Sequence, residues 1–474
     1  MENTVTGLVP FWDDSMIDAR YTDATLSVNP LQRREPVMRF DKPWEGRSTC
    51  YFNIIRDGDL YRMYYLCWTY TDNPLTINVC YAESRDGIRW ERPSLGICEY
   101  NGSKDNNMII MGIHDNFTVM KDENPSCPPE MRYKALMMVH EEKARALQAL
   151  VSADGLHFTP HAIISDGYHY DTQNTLLWNP HTKKYYCFIR DVHRAPCDEK
   201  SRCNEHDVRG IRVMESSDFA HWTEPAPLSF GGSEDYPLYT NCVFSYPYDT
   251  RYYVGFPTRY VERRAWSRNY DRLCGKEARI DRMKLHPRYG LVVTDCVFMS
   301  SRDGYNWHRF DEAILTPGIE NGDNWVYGDG YPACGELVVT PSAYENEPDE
   351  LSLYVYDKHW TATPTNLIRY TCRRDGFASF KAPYAPKTLK TKPFLFDGSV
   401  LSLNFRTSAR GGIILRILDE YSHPIEGYTT CELFGDSVER IVDFDKELSL
   451  LCGRKVIFEF TMSDAEIFSM KFSN

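Results

Sequence analysis

The sequence predicts an all-β protein, a five-bladed β-propeller followed by a small C-terminal β-sandwich. The first observation is a short motif that recurs five times before residue 385. The second is an aromatic content of 14% among 474 residues, which favours strands because aromatic side chains pack well on a pleated surface. The third is a change of pattern near residue 386, where the repeat stops.

The recurring motif reads Ser-x-Asp-Gly-x-x-aromatic and predicts the blades. Its copies begin at Ser84, Ser152, Ser216 and Ser301, and a degenerate fifth copy begins at Arg373. The Asp-Gly step suits a tight turn, because Gly accepts positive φ and Asp bonds the neighbouring backbone. One copy for each four-stranded antiparallel unit gives five units, which can close a ring.

The aspartates of these motifs are expected to serve turns at the outer edge of the blades. A turn residue there lies far from a central pocket, so we interpret none of them as catalytic. They are Asp86, Asp154, Asp218, Asp303 and Asp375.

The chain beyond the repeat predicts a second domain. A linker rich in Pro, Lys and Thr covers residues 385–393. Runs such as 399–405 and 455–460 then alternate between apolar and polar residues, which indicates a sandwich. The predicted domains are a catalytic propeller over residues 1–385 and an accessory β-sandwich over residues 386–474.

Charge, hydropathy and cysteines argue against several classes of protein. The formal net charge is -13 and no basic patch is visible, so no nucleic-acid partner is expected. No run of 18 apolar residues is present, so no membrane span is expected. The 15 cysteines lack a Cys-x-x-Cys pair and no signal peptide is visible, which favours a cytoplasmic protein with reduced thiols.

Polar side chains on the first strand of each unit are the candidates for a functional site. In a propeller these strands surround an axial pocket, so a ligand there meets groups from each blade. The candidate catalytic groups are Asp41, Glu45, Asp122, Asp171, Asp295 and Glu312. The candidate substrate-binding residues are His114, Asn116, Asn174, Arg190, Tyr239, Asn241, Arg259, Arg302 and Trp325.

Carboxylates beside Arg, Asn and Trp are the residue types that glycoside cleavage requires. One carboxyl group must be protonated to help the leaving oxygen depart, and a second must be ionised as nucleophile or as base for water. Neighbouring charges separate the two pKa values. Each acid alone is more often a structural residue, so the prediction rests on the set, with Glu45, Asp122 and Asp171 at its core.

With these features the chain resembles the five-bladed propeller glycoside hydrolases of families 32 and 43 and their relatives. The family 32 architecture, with its C-terminal sandwich, matches the whole length. The resemblance implies one acidic residue on the first strand of each of the first three blades, and these positions correspond to Asp41 or Glu45, Asp122 and Asp171.

The sequence departs from the family 32 motifs at two places. The Trp-x-Asn-Asp-Pro-Asn-Gly signature is replaced by residues 41–46, Asp-Lys-Pro-Trp-Glu-Gly, and Asp171 stands where a Glu-Cys motif is expected. Retention and inversion of configuration therefore both stay open. The chain also resembles a bacterial group of hydrolase-like propellers with Pro-Trp-Glu-Gly, Tyr-Thr-Asn and Pro-x-Arg-Tyr elements, here at 43–46, 239–241 and 257–260.

The leading hypothesis is hydrolysis of a small oligosaccharide or glycoside, with no redox cofactor expected. An axial metal ion and a homo-oligomer are both compatible with it. One alternative is a phosphorylase or transglycosylase on the same scaffold, in which Arg190, Arg259 and Arg302 bind an anion or pair with the acids. Another is a non-catalytic glycan-binding propeller, because function depends on sites and not on folds. A sialidase-like enzyme ranks last, since sialidases commonly have six blades.

Overall fold

The computed structural model describes residues 4–46, 48–68, 76–113, 115–141, 144–194, 207–359 and 364–474. Strands dominate these residues, which confirms the predicted all-β class. The chain divides into two compact units, a propeller unit and a sandwich unit.

The strands are numbered in chain order. The first are β1 (Gly7–Pro10), β2 (Thr25–Val28), β3 (Gln32–Arg39), β4 (Cys50–Asp57), β5 (Leu60–Trp68), β6 (Ile77–Ser84), β7 (Met108–Ile110), β8 (Asp115–Lys121), β9 (Tyr133–Glu141), β10 (Ala144–Ser152) and β11 (Thr159–Asp166). The next are β12 (Thr175–Asn179), β13 (Lys184–Arg194), β14 (Asp207–Ser216), β15 (Ala226–Pro227), β16 (Val243–Ser245), β17 (Tyr253–Gly255), β18 (Thr258–Glu262), β19 (Val292–Ser301) and β20 (Trp307–Leu315). The last are β21 (Tyr331–Pro332), β22 (Cys334–Gly335), β23 (Val338–Thr340), β24 (Glu350–Tyr356), β25 (Asn366–Cys372), β26 (Ala378–Ala382), β27 (Lys387–Lys390), β28 (Val400–Asp419), β29 (Pro424–Thr429), β30 (Asp436–Ile441) and β31 (Val456–Ser473). Helices α1 (Lys276–Met283) and α2 (Arg288–Leu291) lie between β18 and β19, and 3₁₀ turns cover Pro129–Met131 and Leu448–Leu451.

Five sheets form the blades of the propeller unit, which spans Leu31–Ala343 and Glu350–Thr371. Blade 1 contains β4–β7 with β22, blade 2 contains β8–β11, blade 3 contains β12–β15 and blade 4 contains β16–β20. Blade 5 contains β21, β23, β24, β25 and β3. The five-bladed propeller predicted from the repeat is confirmed. Strand β3 precedes blade 1 in the chain but pairs with β25 in blade 5, so the first and last parts of the ring share a sheet.

Four of the five motifs form the turn that follows the third strand of a blade. In blade 1 the Ser84 hydroxyl accepts the Gly87 N–H at 2.9 Å, and Asp86 Oδ1 accepts two further backbone N–H groups. Blades 2, 3 and 4 repeat this pattern, with Phe219 in the glycine position at a φ of 66°. The degenerate fifth copy leads instead into β26 of the sandwich unit, because β3 already fills the outer place in blade 5.

The motif turns also join neighbouring blades. The Tyr64 hydroxyl of blade 1 donates to the Gly155 carbonyl of blade 2 at 2.9 Å. The Tyr354 hydroxyl of blade 5 donates to the Gly87 carbonyl of blade 1 at 2.5 Å. These contacts give the repeated aspartates and glycines a structural role at the seams between blades.

The sandwich unit is built around the long strands β28 and β31, which pair antiparallel. Their pairing is irregular between Thr407 and Gly412. Leu403 and Leu415, on opposite sides of this irregularity, are buried in the same hydrophobic cluster, so the two-stranded ribbon folds over into two layers. Strands β1, β26 and β27 extend the sheet beside β31, and β29 and β30 pair with β28.

The two units divide the chain differently from the predicted ranges 1–385 and 386–474. The sandwich unit includes the chain up to Pro30, the segment Tyr344–Asp349 and the chain from Cys372. Strand pairing is the reason, because β1 pairs with β31 and β26 pairs with both β2 and β31. Pairing over such distances in the chain leaves no local signal in the sequence.

The helices and the cysteines bear on the expectations about membrane spans and thiols. Within the described ranges, neither helix has the length and apolar character needed to cross a bilayer. The described cysteines are free thiols, and most of them are buried.

Candidate active site

The innermost strands of three blades share an irregularity near their first residues. Tyr51 in β4, Asn116 in β8 and Cys242 just before β16 have φ angles of 51°, 38° and 41°. In β4 and β8 the pairing with the next strand is also shifted at this point. Bulges re-aim side chains, and strained non-glycine residues often cluster at functional sites. The beginning of the inner strands is therefore the candidate site.

Side chains from several blades meet at the propeller axis beside these residues. Gln173 Nε2 donates to the Phe52 carbonyl of blade 1 at 2.8 Å, and its Oε1 accepts the Cys334 thiol at 3.4 Å. Its backbone carbonyl accepts Asn241 Nδ2 of blade 4 at 3.2 Å. Gln173 thus links blades 1, 3 and 4.

Two carboxylates belong to this end of the inner strands. Asp115 is the first residue of β8, and Asp171 lies in the segment that leads into β12. The Asp171 side chain is 33% exposed and Asp115 is half-buried, although protein surrounds both carboxyl groups. Both carboxyl groups are therefore enclosed by protein while each residue keeps some exposure to solvent.

Two arginines from different blades surround Asp171. Arg190 of β13 is only 3% exposed and forms an ion pair with the Asp171 carboxylate. Arg145 of β10 lies 3.5 Å from the same carboxylate, measured between Nη1 and Oδ1. Arg145 Nη1 is also 3.4 Å from Nδ1 of His169. Asp171 therefore interacts with two positive charges.

The surroundings shift the pKa values of the two carboxyl groups in opposite directions. Burial and, to a smaller extent, the negative charge of Asp171 together raise the pKa of Asp115 to about 7. Burial also acts to raise the pKa of Asp171, but the charges of Arg190 and Arg145 outweigh it and hold that pKa well below its usual value. Near neutral pH, Asp171 is ionised while a large share of Asp115 is protonated.

Tyrosine rings form a wall beside the carboxylates. The centre of the Tyr239 ring lies 4.7 Å from Cζ of Arg190. Tyr239 stacks on Tyr260 of the same blade with 5.7 Å between ring centres. It also lies 5.5 Å from the Tyr331 ring of blade 5, which in turn contacts Tyr356 at 5.6 Å. We call Tyr51, Asp115, Asp171, Arg190 and Tyr239 the axial cluster.

Buried polar atoms without partners lie in and beside the axial cluster. Within the part of the chain that the structure describes, Nε and Nη1 of Arg190, Oδ1 of Asn116 and the hydroxyl of Tyr356 accept or donate no hydrogen bond. Such atoms are rare, because an unpaired buried polar group is costly. A polyhydroxylated ligand could satisfy these donors and acceptors.

Some of the residues predicted from the sequence lie in or beside this cluster. Asp171, Arg190 and Tyr239 belong to it, and Asn116 follows Asp115 directly. Asn174 and Asn241 hold the backbone beside Asp171 in place, because their side-chain amides donate to backbone carbonyls of the segment 170–173. His114 lies outside the described residues.

Glu45 was expected to be an axial carboxylate, but the structure places it in a different network. Its Oε1 accepts the Tyr65 hydroxyl at 2.8 Å and Nε of Arg92 at 2.7 Å. Its Oε2 accepts the Lys42 N–H at 2.9 Å. Glu45 is 0% exposed, so these donors fill its acceptor sites and hold the segment that leads into β4.

Asp122 also differs from the predicted axial position, because it follows the last residue of β8. It lies seven positions after Asp115 in the chain, which corresponds to roughly 23 Å along a strand. Its carboxylate pairs with buried Lys134 and accepts the Tyr185 hydroxyl at 2.7 Å. Asp122 thus follows inner strand β8 at the end opposite to Asp115.

The remaining predicted residues are also outside the axial cluster. Asp295 and Arg259 form a two-pronged ion pair at 2.9 and 2.6 Å. Asp41 is 50% exposed beside Arg39, and Glu312 is exposed. Exposed Arg302 lies over the Tyr252 ring, and the Trp325 indole donates to the Gly318 carbonyl.

Sequence reasoning missed Asp115 and Arg145. A usable signal was present for Asp115, since it directly precedes Asn116 at the start of an inner strand, as Asp171 precedes β12. Arg145 carries no such signal, because it lies on β10 of blade 2 and reaches Asp171 of blade 3 only through the fold.

The described residues contain no group of three or more His, Cys, Asp or Glu side chains arranged to hold a metal ion. The axial metal ion that the sequence left open therefore has no such ligand set in the described ranges.

Comparisons with known proteins give likenesses only among solved structures. No protein-family model matches the sequence, and no curated protein matches it. An N-acetylgalactosamine deacetylase from F. plautii is 12% identical, with a TM-score of 0.42, over 73% of this chain and 94% of that one. A structure from the GH130 family of mannoside phosphorylases and glycoside hydrolases is 12% identical, with a TM-score of 0.40, over 77% and 96%. A fructofuranosidase from Schwanniomyces occidentalis is 10% identical, with a TM-score of 0.39, over 94% and 98%. At these values the likenesses carry no argument about activity.

Proposed function

We propose that this protein cleaves a glycosidic bond in a small carbohydrate, with Asp115 as the acid and Asp171 as the ionised partner. The observation that carries the proposal is the opposite shift of the two pKa values. Burial raises the pKa of Asp115 to about 7, whereas Arg190 and Arg145 hold the pKa of Asp171 well below its usual value. Glycoside cleavage needs this pairing of a protonated and an ionised carboxyl group.

Each group has a definite task in the proposed reaction. Protonated Asp115 gives its proton to the glycosidic oxygen as the bond to the anomeric carbon breaks. Ionised Asp171 either attacks that carbon or removes a proton from the attacking water. The unpaired Nε and Nη1 of Arg190 donate to sugar hydroxyls, and the Tyr239 ring offers an apolar face to the sugar.

The test compares wild type with Asp115→Asn and Asp171→Asn on a panel of glycosyl fluorides and oligosaccharides. Each variant is expected to lower kcat/KM by roughly 10²–10⁴-fold, the usual contribution of acid–base catalysis. Asp41→Asn is the matched control, because this carboxylate is 50% exposed and pairs only loosely with Arg39 at 3.6 Å. Full activity in both axial variants would refute the proposal, and sugar binding without turnover by wild type would favour a glycan-binding protein.

Phosphorolysis is a second candidate, and one observation favours it. The buried Arg190 guanidinium has two nitrogen atoms without acceptors, and Arg145 adds a second positive charge beside Asp171. Such donors suit an oxyanion as well as a hydroxyl. A rate that rises with inorganic phosphate and releases a sugar phosphate would identify phosphorolysis, whereas a rate independent of phosphate would identify hydrolysis.

A further inference from the structure

A cavity of about 310 Å³ lies at the outer edge of blade 3. It forms where β14 lacks a continuous neighbour. Leu228 N–H bonds to the Ile211 carbonyl at 3.0 Å and Leu238 N–H bonds to the Arg209 carbonyl at 2.9 Å. Between these two bonds residues 229–237 leave the strand, and Gly210 lines the cavity opposite them. The volume is close to the lower end of small-molecule sites, roughly 300 Å³.

Two buried charged side chains in the cavity wall have unpaired atoms. Arg209 is 7% exposed and Asp191 is 2% exposed. Nε of Arg209 and Oδ1 of Asp191 have no hydrogen-bond partner among the residues that the structure describes. One atom can only donate and the other can only accept, which is the combination that a sugar hydroxyl satisfies.

The cavity borders the axial cluster through a single layer of side chains. Cζ of Arg209 lies 4.3 Å from the centre of the Tyr260 ring and 5.7 Å from that of Tyr239. Tyr239 is also in contact with Arg190, the partner of Asp171. The side chains of Arg209, Tyr239 and Arg190 therefore lie in series between the cavity and Asp171.

The charges around the cavity favour an uncharged ligand. Asp191 pairs with Arg212, and Asp235 lies 2.7 Å from Nε2 of His193. The side chain of Glu234 is exposed and adds another carboxylate beside Arg209. Positive groups do not exceed negative ones here, so an acidic sugar gains nothing from entering.

We propose that this cavity is a second sugar subsite, which takes a neutral ring of an oligosaccharide that also reaches the axial cluster past Arg209 and Tyr239. Asp191 and Arg209 bind its hydroxyls, and Tyr236 and Phe230 line the opposite side. The proposal rests on the proposed function and adds a substrate class to it, namely neutral oligosaccharides of three or more units.

The test fills the cavity and compares substrates of different length. Ser233 is exposed and lines the cavity, so Ser233→Trp blocks it with little risk to the fold. We expect the ratio of kcat/KM for a tetrasaccharide to kcat/KM for the glycosyl fluoride of the same sugar to fall at least tenfold. A glycosyl fluoride has only one ring and cannot use the second subsite. Arg209→Gln should lower the same ratio, and Ser217→Trp, at an exposed turn of the same blade, is the control.

A binding experiment separates this proposal from the proposed function. Titration calorimetry with neutral di- to tetrasaccharides of glucose, mannose, galactose and fructose, and with digalacturonate, uses wild type, Ser233→Trp and Ser217→Trp. If wild type cleaves nothing but binds a neutral oligosaccharide, and Ser233→Trp weakens that binding at least fivefold, the subsite stands and the proposed function falls. An unchanged ratio, unchanged binding, no binding at all, or tighter binding of digalacturonate overturns the subsite.

Discussion

The two ends of strand β8 each carry an aspartate, and the protein surrounds them differently. Asp122, just after the strand, is 0% exposed and receives hydrogen bonds from Lys134, Tyr185 and the Asn124 N–H. Asp115, at the start, is half-buried and receives the Asn116 N–H. A carboxylate whose acceptor sites are filled by protein holds the fold together, whereas a carboxylate with free acceptor sites beside unpaired donors is available to a ligand.

The largest expected effects come from removing the charge of a structural aspartate and, separately, of a catalytic one. Asp122→Asn leaves the ammonium of Lys134, which is 2% exposed, without its counter-charge. We expect the free energy of unfolding to fall by about 3 kcal/mol, the usual loss when one partner of a buried pair is removed, while kcat per folded molecule stays unchanged. Asp171→Asn should do the reverse, with a roughly 10²–10⁴-fold loss of kcat/KM and a smaller change in stability.

Urea unfolding and turnover measured on the same preparations decide this prediction. A fall in kcat for folded Asp122→Asn would show that Asp122 is catalytic, as the sequence analysis predicted. A larger stability loss in Asp171→Asn than in Asp122→Asn would show that the ion pair of Asp171 with Arg190 is chiefly structural.

The sequence predicted this molecule best where the physical signal is local. The Ser-x-Asp-Gly turns identify the blades because each turn is made by hydrogen bonds within six residues, as at Ser84 and Asp86. The place of β3 in blade 5 and of β1 in the sandwich depends on pairing across more than 300 residues. Such pairing cannot be inferred from neighbouring residues.

The candidate site, too, was predictable from the sequence only where the signal is local. Asp171, Arg190 and Tyr239, which belong to the candidate site, were predicted because polar groups near the inner strands stand out from apolar runs. Glu45 and Asp122 have the same local appearance, and only the positions of Arg92 and Lys134 show that their charges are already paired. Charge partners distant in the chain thus decide whether a buried acid is structural or functional.

An intermediate effect is expected on the pH dependence, since Arg145 lowers the pKa of both axial carboxyl groups. Asp115 must be protonated, so kcat/KM should fall as the pH rises through its pKa of about 7. Asp171 must be ionised, so kcat/KM should also fall at acid pH. Arg145→Met removes a positive charge, which raises both pKa values and moves both limbs of the profile to higher pH.

The pH profile of kcat/KM at low salt measures this shift, because it reports the groups of the free enzyme. Arg85→Met, which removes an exposed arginine from a motif turn, should leave the profile in place. High salt should reduce the difference between Arg145→Met and wild type by screening the charge of Arg145, which is 40% exposed. A shift to lower pH would mean that Arg145 does not act on these carboxyl groups through its charge.

The smallest expected effect is a difference in the free energy of unfolding between alanine variants of two glycines that occupy the same position in their motifs. Gly155 and Gly304 have φ angles of 76° and 80°, so alanine at either position costs roughly 1–2 kcal/mol for the left-handed backbone. A Cβ at Gly155 would also lie 2.9 Å from the Tyr64 hydroxyl, which is buried, whereas at Gly304 the nearest atom is 3.6 Å away. Gly155→Ala should therefore lower the free energy of unfolding by about 1 kcal/mol more than Gly304→Ala, because extra atoms in a packed region are destabilising. Urea unfolding of the two variants measures the difference, and equal losses would show that the seam between blades 1 and 2 is loose enough to absorb a methyl group.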